Sequence, residues 1–255
     1  MLLAVDVGNT QTHFGAFKGD ELVESWRFAT VRGSTGDEIG AALLNLLELR
    51  GLQFSDLDSA IVSSTVPALG EEWRRAGQAY LGKDPIIVGP GVKTGMPLRY
   101  DNPREIGADR LVNAVAALDR FGGPCVVVDF GTAITFDPVS ANGEYLGGLI
   151  APGVGISLEA LSDRAAKLPK VDLAEPREVI GKSTVEALRA GVIYGFAGLV
   201  DGILERIARE LGPDMKTIAT GGQAHSIVPF CERVSEVDDL LTLTGLRLIH
   251  ERNAD

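Results

Sequence analysis

Apolar and polar positions along this chain run through two successions of the same kind. Leu2 to Val7 is nearly all apolar, and residues 11 to 17 and 21 to 28 are strand-like, with Lys18-Gly19-Asp20 between them as a turn. That spacing predicts three hairpin-linked strands. Between Thr35 and Leu49 the period changes, because Ile39, Leu43, Leu46 and Leu47 recur at helical spacing. Ser59 to Ser64 and Pro85 to Val88 read as parallel core strands on either side of a helix beginning near Pro67. A helix over roughly Ala108 to Arg120 follows, and then the order recurs. Residues 124–129, 132–138 and 145–151 are predicted strands, 154–165 and 184–211 helices, and 216–220 a further strand. No Pro/Ser-rich or low-complexity segment separates the halves. The expected organisation is α/β with two lobes, 1–115 and 116–255, dividing within or just after the shared helix.

The first strand of each half ends in a carboxylate followed by a glycine turn: Asp6-Val7-Gly8-Asn9-Thr10 and Asp129-Phe130-Gly131-Thr132. Asn, Thr and backbone N–H groups at such a turn can cradle phosphate, while the carboxylate calls for a cation. A single copy is ordinarily just a turn; two copies facing each other would form a nucleotide clamp. A third candidate is Thr217 to Ala224, where a strand ends in Thr220-Gly221-Gly222 and leads into a predicted helix. It too could be a plain strand-to-helix turn. No Gly-x-x-x-x-Gly-Lys-Ser/Thr is present, and Gly89 to Gly95 has the wrong spacing for a dinucleotide fingerprint. That segment reads as a mobile connection.

Composition narrows the choice of partners. A formal charge of −11 argues against nucleic acid or an anionic membrane surface, both of which need a basic footprint. Phosphate bound here is expected to arrive with metal. The longest apolar stretches, such as Cys125 to Val128, look too short to span a bilayer, and the N-terminus runs straight into a strand, so a cytoplasmic protein is expected. Cys125 and Cys231 form no Cys-x-x-Cys pair, and His13, His225 and His250 show no metal-ligand spacing. Both cysteines are expected to be reduced and buried.

Further along stand Asn102-Pro103-Arg104-Glu105-Ile106-Gly107-Ala108-Asp109-Arg110, Gly147-Gly148, Ala165-Ala166-Lys167-Leu168-Pro169 and Gly181-Lys182-Ser183-Thr184. With Asp6 to Thr10, Asp129 to Ala133 and Thr220 to Gly222, these resemble the type III pantothenate kinases over nearly the whole chain, the Gly-Ala-Asp-Arg element being the most specific. The resemblance implies the actin, sugar kinase and heat-shock ATPase superfamily, with two ribonuclease-H-like lobes. It also implies phosphorylation of pantothenate by ATP to 4'-phosphopantothenate, the first step of coenzyme A synthesis.

Roles follow from the same resemblance. ATP is expected at Asp6, Val7, Gly8, Asn9, Thr10, Gln11, Thr12, His13 and Thr132, with Mg2+ held by Asp6 through water and K+ or NH4+ at Asp129. Pantothenate is expected at Tyr100, Gly107, Ala108, Asp109, Arg110 and Thr184, with Asp109 as catalytic base. Thr184 would reach the pocket of the opposite subunit, so a homodimer completes the site. The long helix bearing Leu188, Val192, Ile193 and Phe196 is expected to supply much of the interface. Taken from the residues alone, Asp109 also suits a helix N-cap, Tyr100 a packing residue, Arg110 a solvated helix charge, and Thr184 part of a Ser183–Glu186 capping box. Asn102, Pro103 and Glu105 offer a competing helix start. Another acceptor, an ATPase switch, or a non-catalytic transcriptional accessory protein on the same fold remain alternatives.

Overall fold

The computed structural model describes residues 1–165 and 168–254; Ala166 and Lys167 of the Ala165–Pro169 motif lie outside the described residues. In chain order the strands and helices are β1 (Leu2–Val7), β2 (Gln11–Lys18), β3 (Glu21–Ala29), α1 (Gly36–Glu48), β4 (Ser59–Ser64), α2 (Pro67–Ala76), β5 (Ile86–Ile87), α3 (Ala108–Phe121), β6 (Cys125–Phe130), β7 (Ala133–Val139), β8 (Leu149–Pro152), α4 (Val154–Arg164), α5 (Thr184–Leu211), β9 (Lys216–Thr220), α6 (Ala224–Ile227), β10 (Glu236–Val237) and α7 (Leu241–Asn253).

Two five-stranded sheets result, ordered β3-β2-β1-β4-β5 and β8-β7-β6-β9-β10. In each, the central strand pairs antiparallel with the next strand in sequence and parallel with the one that follows the intervening helices. Strand for strand, the second sheet repeats the first.

Contacts divide the chain into two compact units: residues 1–96, 101–116 and 240–255, and residues 97–100 and 117–239. The division passes through α3, after Ala116. Residues 240–255, placed by sequence in the second lobe, group here with the first unit.

In the first unit, Leu3, Val5 and Val7 of β1 face Ile39, Leu43 and Leu47 of α1 and Leu69 and Trp73 of α2. Alternation turns Leu2, Ala4 and Asp6 to the opposite face, and α7 packs on β1, β2 and β4. Thr35 caps α1 in a complete capping box with Glu38. The Gly89–Gly95 loop is not the mobile connection expected. Lys93 N–H donates to Asn253 Oδ1 and Asn253 Nδ2 to Lys93 O, both at 2.9 Å, and Arg252 donates to Thr94 O. These anchors come from α7, whose weak apolar period left it unseen in the sequence.

In the second unit, Val126, Val128 and Phe130 pack with Ile134 and Phe136 of β7 and with a stripe on α5, Ile193, Ala197, Val200 and Leu204. By length and composition α5 is apolar enough to cross a membrane, with 28% of its most apolar window buried. That corrects the expectation that every apolar stretch is too short: Gly and Ala between the larger residues disguise the run. The last strand of the second hairpin set is shorter than predicted. It begins at Leu149, and Tyr145 instead makes isolated bridges to Leu98 and Val139. Both cysteines are free; Cys125 is buried, but Cys231 only half so. Burial pushes each thiol up to about 12.

Candidate active site

Strand register places the first carboxylate. Across β4, β1, β2 and β3, the residues beside one another are Ser63, Asp6, His13 and Arg27, and lateral neighbours share a face. His13, at the end of the expected ATP run, therefore stands directly beside Asp6. Asp6 is half-buried and Ser63 fully so, with no hydrogen-bond partner at Ser63 Oγ. These are hard oxygens at the C-terminal end of a parallel strand pair, where α/β folds place ligands.

The turn beyond Asp6 is closed by Gly8 N–H donating to Gln11 O at 3.0 Å. Asn9, Thr10 and Gln11 are exposed there, whereas Val7 and Thr12 are buried, Val7 in the core and Thr12 sharing a hydrogen bond of 3.0 Å with Thr30. Of the predicted ATP run, the side chains of Val7 and Thr12 thus serve the fold. Two residues missed in the sequence frame the turn. Asn9 receives Arg32 Nη2 at 3.3 Å and donates to Thr65 Oγ1 at 3.4 Å, and Thr65 Oγ1 donates to Val7 O at 3.1 Å. The signal for Thr65 was the polar run Ser63-Ser64-Thr65 ending an apolar strand.

Asp109 and Arg110 belong to the same unit. Helix α3 starts at Ala108, so Asp109 lies inside the first turn and is not the N-cap. The competing start at Asn102 forms a separate 3-10 turn over Pro103–Glu105, capped by Asn102 accepting from Arg104 N–H. Asp109 Oδ1 accepts Arg110 N–H at 2.9 Å. Burial pushes the Asp109 carboxyl above the ordinary range, and the Arg110 N–H and charge offset that only in part. Gly107 sits against this carboxylate: a Cβ there would be 2.5 Å from Asp109 Oδ1. Arg110 is buried, 7% exposed, rather than a solvated helix charge.

In the second unit the corresponding row is Thr220, Asp129, Thr135 and Ile150. Here the carboxylate has hydroxyls beside it and no charged strand neighbour. The Thr220-Gly221-Gly222 loop closes over it. Gly221 has φ +94°, and the place of its missing Cβ is taken by Asp129 Oδ1 and the Phe130 backbone. The helix after this loop is one turn, Ala224–Ile227. Gln223 Oε1 accepts Gly155 N–H at 3.3 Å, in the first turn of α4. Thr132 is exposed at the second turn. Tyr100 is half-buried, 6.3 Å from the Tyr145 ring. Thr184 is exposed at the start of α5; Ser183 caps that helix, but the Glu186 carboxylate turns to Arg177 N–H, so the capping box is half-formed. Of the four apolar residues expected at an interface, Ile193 is buried in the core, while Leu188, Val192 and Phe196 line a groove of about 370 Å³ with Leu161 and Leu199. Among the described residues no three His, Cys, Asp or Glu side chains cluster as a metal site.

Comparison with known proteins agrees with this chemistry. A family model described as type III pantothenate kinase matches residues 2–206. A type III pantothenate kinase of Thermobifida fusca is 52% identical, covering 99% of this chain and 100% of the relative; one of Koribacter versatilis is 49% identical, covering 99% and 96%. Among solved structures, a ROK hexokinase from Thermus thermophilus superposes with TM-score 0.53 at 15% identity, covering 99% of both chains, a likeness of fold.

Proposed function

The chain belongs to the type III pantothenate kinase family, and on that premise we propose a role for each part of its site. The protein phosphorylates pantothenate with ATP in coenzyme A biosynthesis. Phosphoryl transfer passes through a loose transition state, so alignment and charge neutralisation dominate catalysis. The primary hydroxyl of pantothenate attacks the γ-phosphorus, its proton passes to Asp109, and ADP leaves. The observation that carries this assignment is the place of Asp109, half-buried in the first turn of α3 between Gly107 and Arg110, where burial raises its proton affinity above that of an ordinary carboxylate, the direction a general base requires. Gly107 and Ala108 bring the backbone to the substrate, and the Arg110 guanidinium fork suits the pantothenate carboxylate. Tyr100 is the further substrate contact.

On the nucleotide side, Gly8 to Gln11 and Thr132 contact phosphates. Asp6, with Ser63 beside it, suits Mg2+, which would neutralise phosphate charge. The oxygen-rich surroundings of Asp129 suit K+ or NH4+. A second copy of the chain covers the Leu161–Leu199 groove on α5 and brings Thr184 to the partner's pantothenate; the apolar, largely uncovered face of α5 supports this homodimer. A cytoplasmic location fits an enzyme that uses ATP and pantothenate.

ADP release is the test, with and without pantothenate, in Mg2+ with K+ or Na+. Native protein is expected to need pantothenate and K+, and Asp109→Asn to lose about 10²–10⁴-fold, the usual worth of a general base. Because the base must be deprotonated and its pKa is raised, kcat/KM should fall on acidification at a higher pH than an ordinary carboxylate sets. Pantothenate-independent turnover, or an active Asp109→Asn, would reject the assignment.

A further inference from the structure

One buried polar group in the second unit has no part in the roles above. Asp137 lies on β7, fully buried, two residues beyond Thr135 and on the same face. Thr135 Oγ1 donates to Asp137 Oδ2 at 2.9 Å, and Tyr145 Oη to Asp137 Oδ1 at 2.8 Å. Tyr145 is also fully buried. A carboxylate in such a place is costly unless hydrogen bonds hold it, so its presence in a sheet of Val, Ile and Phe asks for a purpose.

The backbone of Tyr145 supplies one. Its N–H donates to Pro97 O at 2.9 Å and its carbonyl accepts Arg99 N–H at 2.8 Å, so residues 97–99 are registered on Tyr145 as a short parallel bridge. Arg99 adds an ion pair to Glu144 at 2.6 Å. The next residue is Tyr100, whose ring rests at the Tyr145 ring and beside Gly147, where a Cβ would stand 3.4 Å away. A line of contacts thus leads from Asp137 through Tyr145 to Tyr100. Its other end is Thr135, the cross-strand neighbour of Asp129.

We propose that Asp137 and Tyr145 are positioning residues for pantothenate: their hydrogen bond fixes the segment Pro97–Tyr100, and with it the place where Tyr100 meets the substrate. The inference rests on the reading of Tyr100 as a substrate contact. The residues proposed above for ATP phosphates, Gly8 to Gln11 and Thr132, are not on this line, so the effect is expected on one substrate.

Steady-state kinetics of the full chain test it, with KM for pantothenate and for ATP measured separately. Tyr145→Phe keeps the ring and removes the bond; its pantothenate KM should rise about tenfold, the scale of one charge-assisted hydrogen bond, with ATP KM and kcat within about twofold. Asp137→Asn retains an acceptor for Tyr145 but removes the charge, and should raise pantothenate KM about threefold, less than Tyr145→Phe. Arg99→Ala loosens the same segment from the exposed side, without disturbing the core, and should raise pantothenate KM about two- to threefold, as a surface ion pair allows. Unchanged pantothenate KM in Arg99→Ala and in folded Tyr145→Phe, or equal rises for both substrates, would overturn the proposal. Tyr100→Ala separates the two readings. If it leaves pantothenate KM unchanged, the substrate role of Tyr100 fails and the proposal with it; if it raises KM while Tyr145→Phe does not, the positioning role alone fails.

Discussion

The two strand-Asp-Gly turns share a topology and a burial pattern, yet they are furnished differently. Both β1 and β6 bury their first four residues, leave the carboxylate at position five half-buried, and bury the sixth. Around Asp6 the lateral neighbours are Ser63 and His13, with Arg27 beyond, and the turn is tied by Asn9, Arg32 and Thr65. Around Asp129 they are Thr220 and Thr135, and Gly221 closes over the carboxylate. The duplication supplies a strand end with a carboxylate; the flanking strands decide what surrounds it. A longer, exposed turn with side-chain donors suits phosphates and a hydrated divalent ion, while a crowded carboxylate among hydroxyls suits a partly dehydrated monovalent one.

Charge removal at each turn breaks the comparison most directly. Asp6→Asn is expected to lower kcat/KM by about 10²–10³-fold, the size of a lost electrostatic stabiliser at phosphoryl oxygens, with a raised Mg2+ requirement. Asp129→Asn should lose about tenfold and its preference for K+ over Na+, keeping its Mg2+ response. Titrating both variants with Mg2+ and K+ checks the division of labour, and exchanged responses would refute it. Next in size is Gly221→Ala. The new methyl meets the Asp129 carboxylate at a left-handed φ, costing about 1–3 kcal/mol, read as a lower Tm together with a weakened K+ response. Smallest is Asn9→Ala. It removes two long, exposed hydrogen bonds, so KM for ATP should rise only about two- to threefold with Tm unchanged.

Much of this was legible in the sequence, for reasons tied to particular residues. The apolar runs of β1, β4, β6 and β9 and the 3.6-residue period of α1 announce themselves because burial on one or both faces leaves no polar alternative. The Asp-x-Gly and Gly-Ala-Asp-Arg elements located the carboxylates. What stayed hidden depends on register. Nothing in the order of residues sets His13 beside Asp6, or Thr135 beside Asp129, until two strands pair. Asp109 looked like a cap because a carboxylate ahead of an apolar helical run suits one; only the helix start at Ala108 removes that role. Asp137 gave no signal within the predicted strand 132–138, since its partner Tyr145 lies in a segment the pattern took for continuous β-structure. Helix α7 escaped because Thr242, Thr244 and Gly245 interrupt its apolar face. Gly245 is a contact residue, with the Val112 backbone where its side chain would be.

That last helix carries a consequence for how the protein is made. Residues 240–255 complete the unit that begins at residue 1, with α7 lying on β1, β2 and β4 and Thr242 bonded to Asn113 at 2.7 Å. While the ribosome is still translating, the amino-terminal sheet has emerged with one of its faces lacking this cover, whereas every residue of the other unit is available before α7 appears. Vectorial synthesis therefore reverses the expected order: the unit begun earlier is finished later, because its closure joins β1, which ends at Val7, to a helix that starts at Leu241, the kind of non-local contact that slows folding.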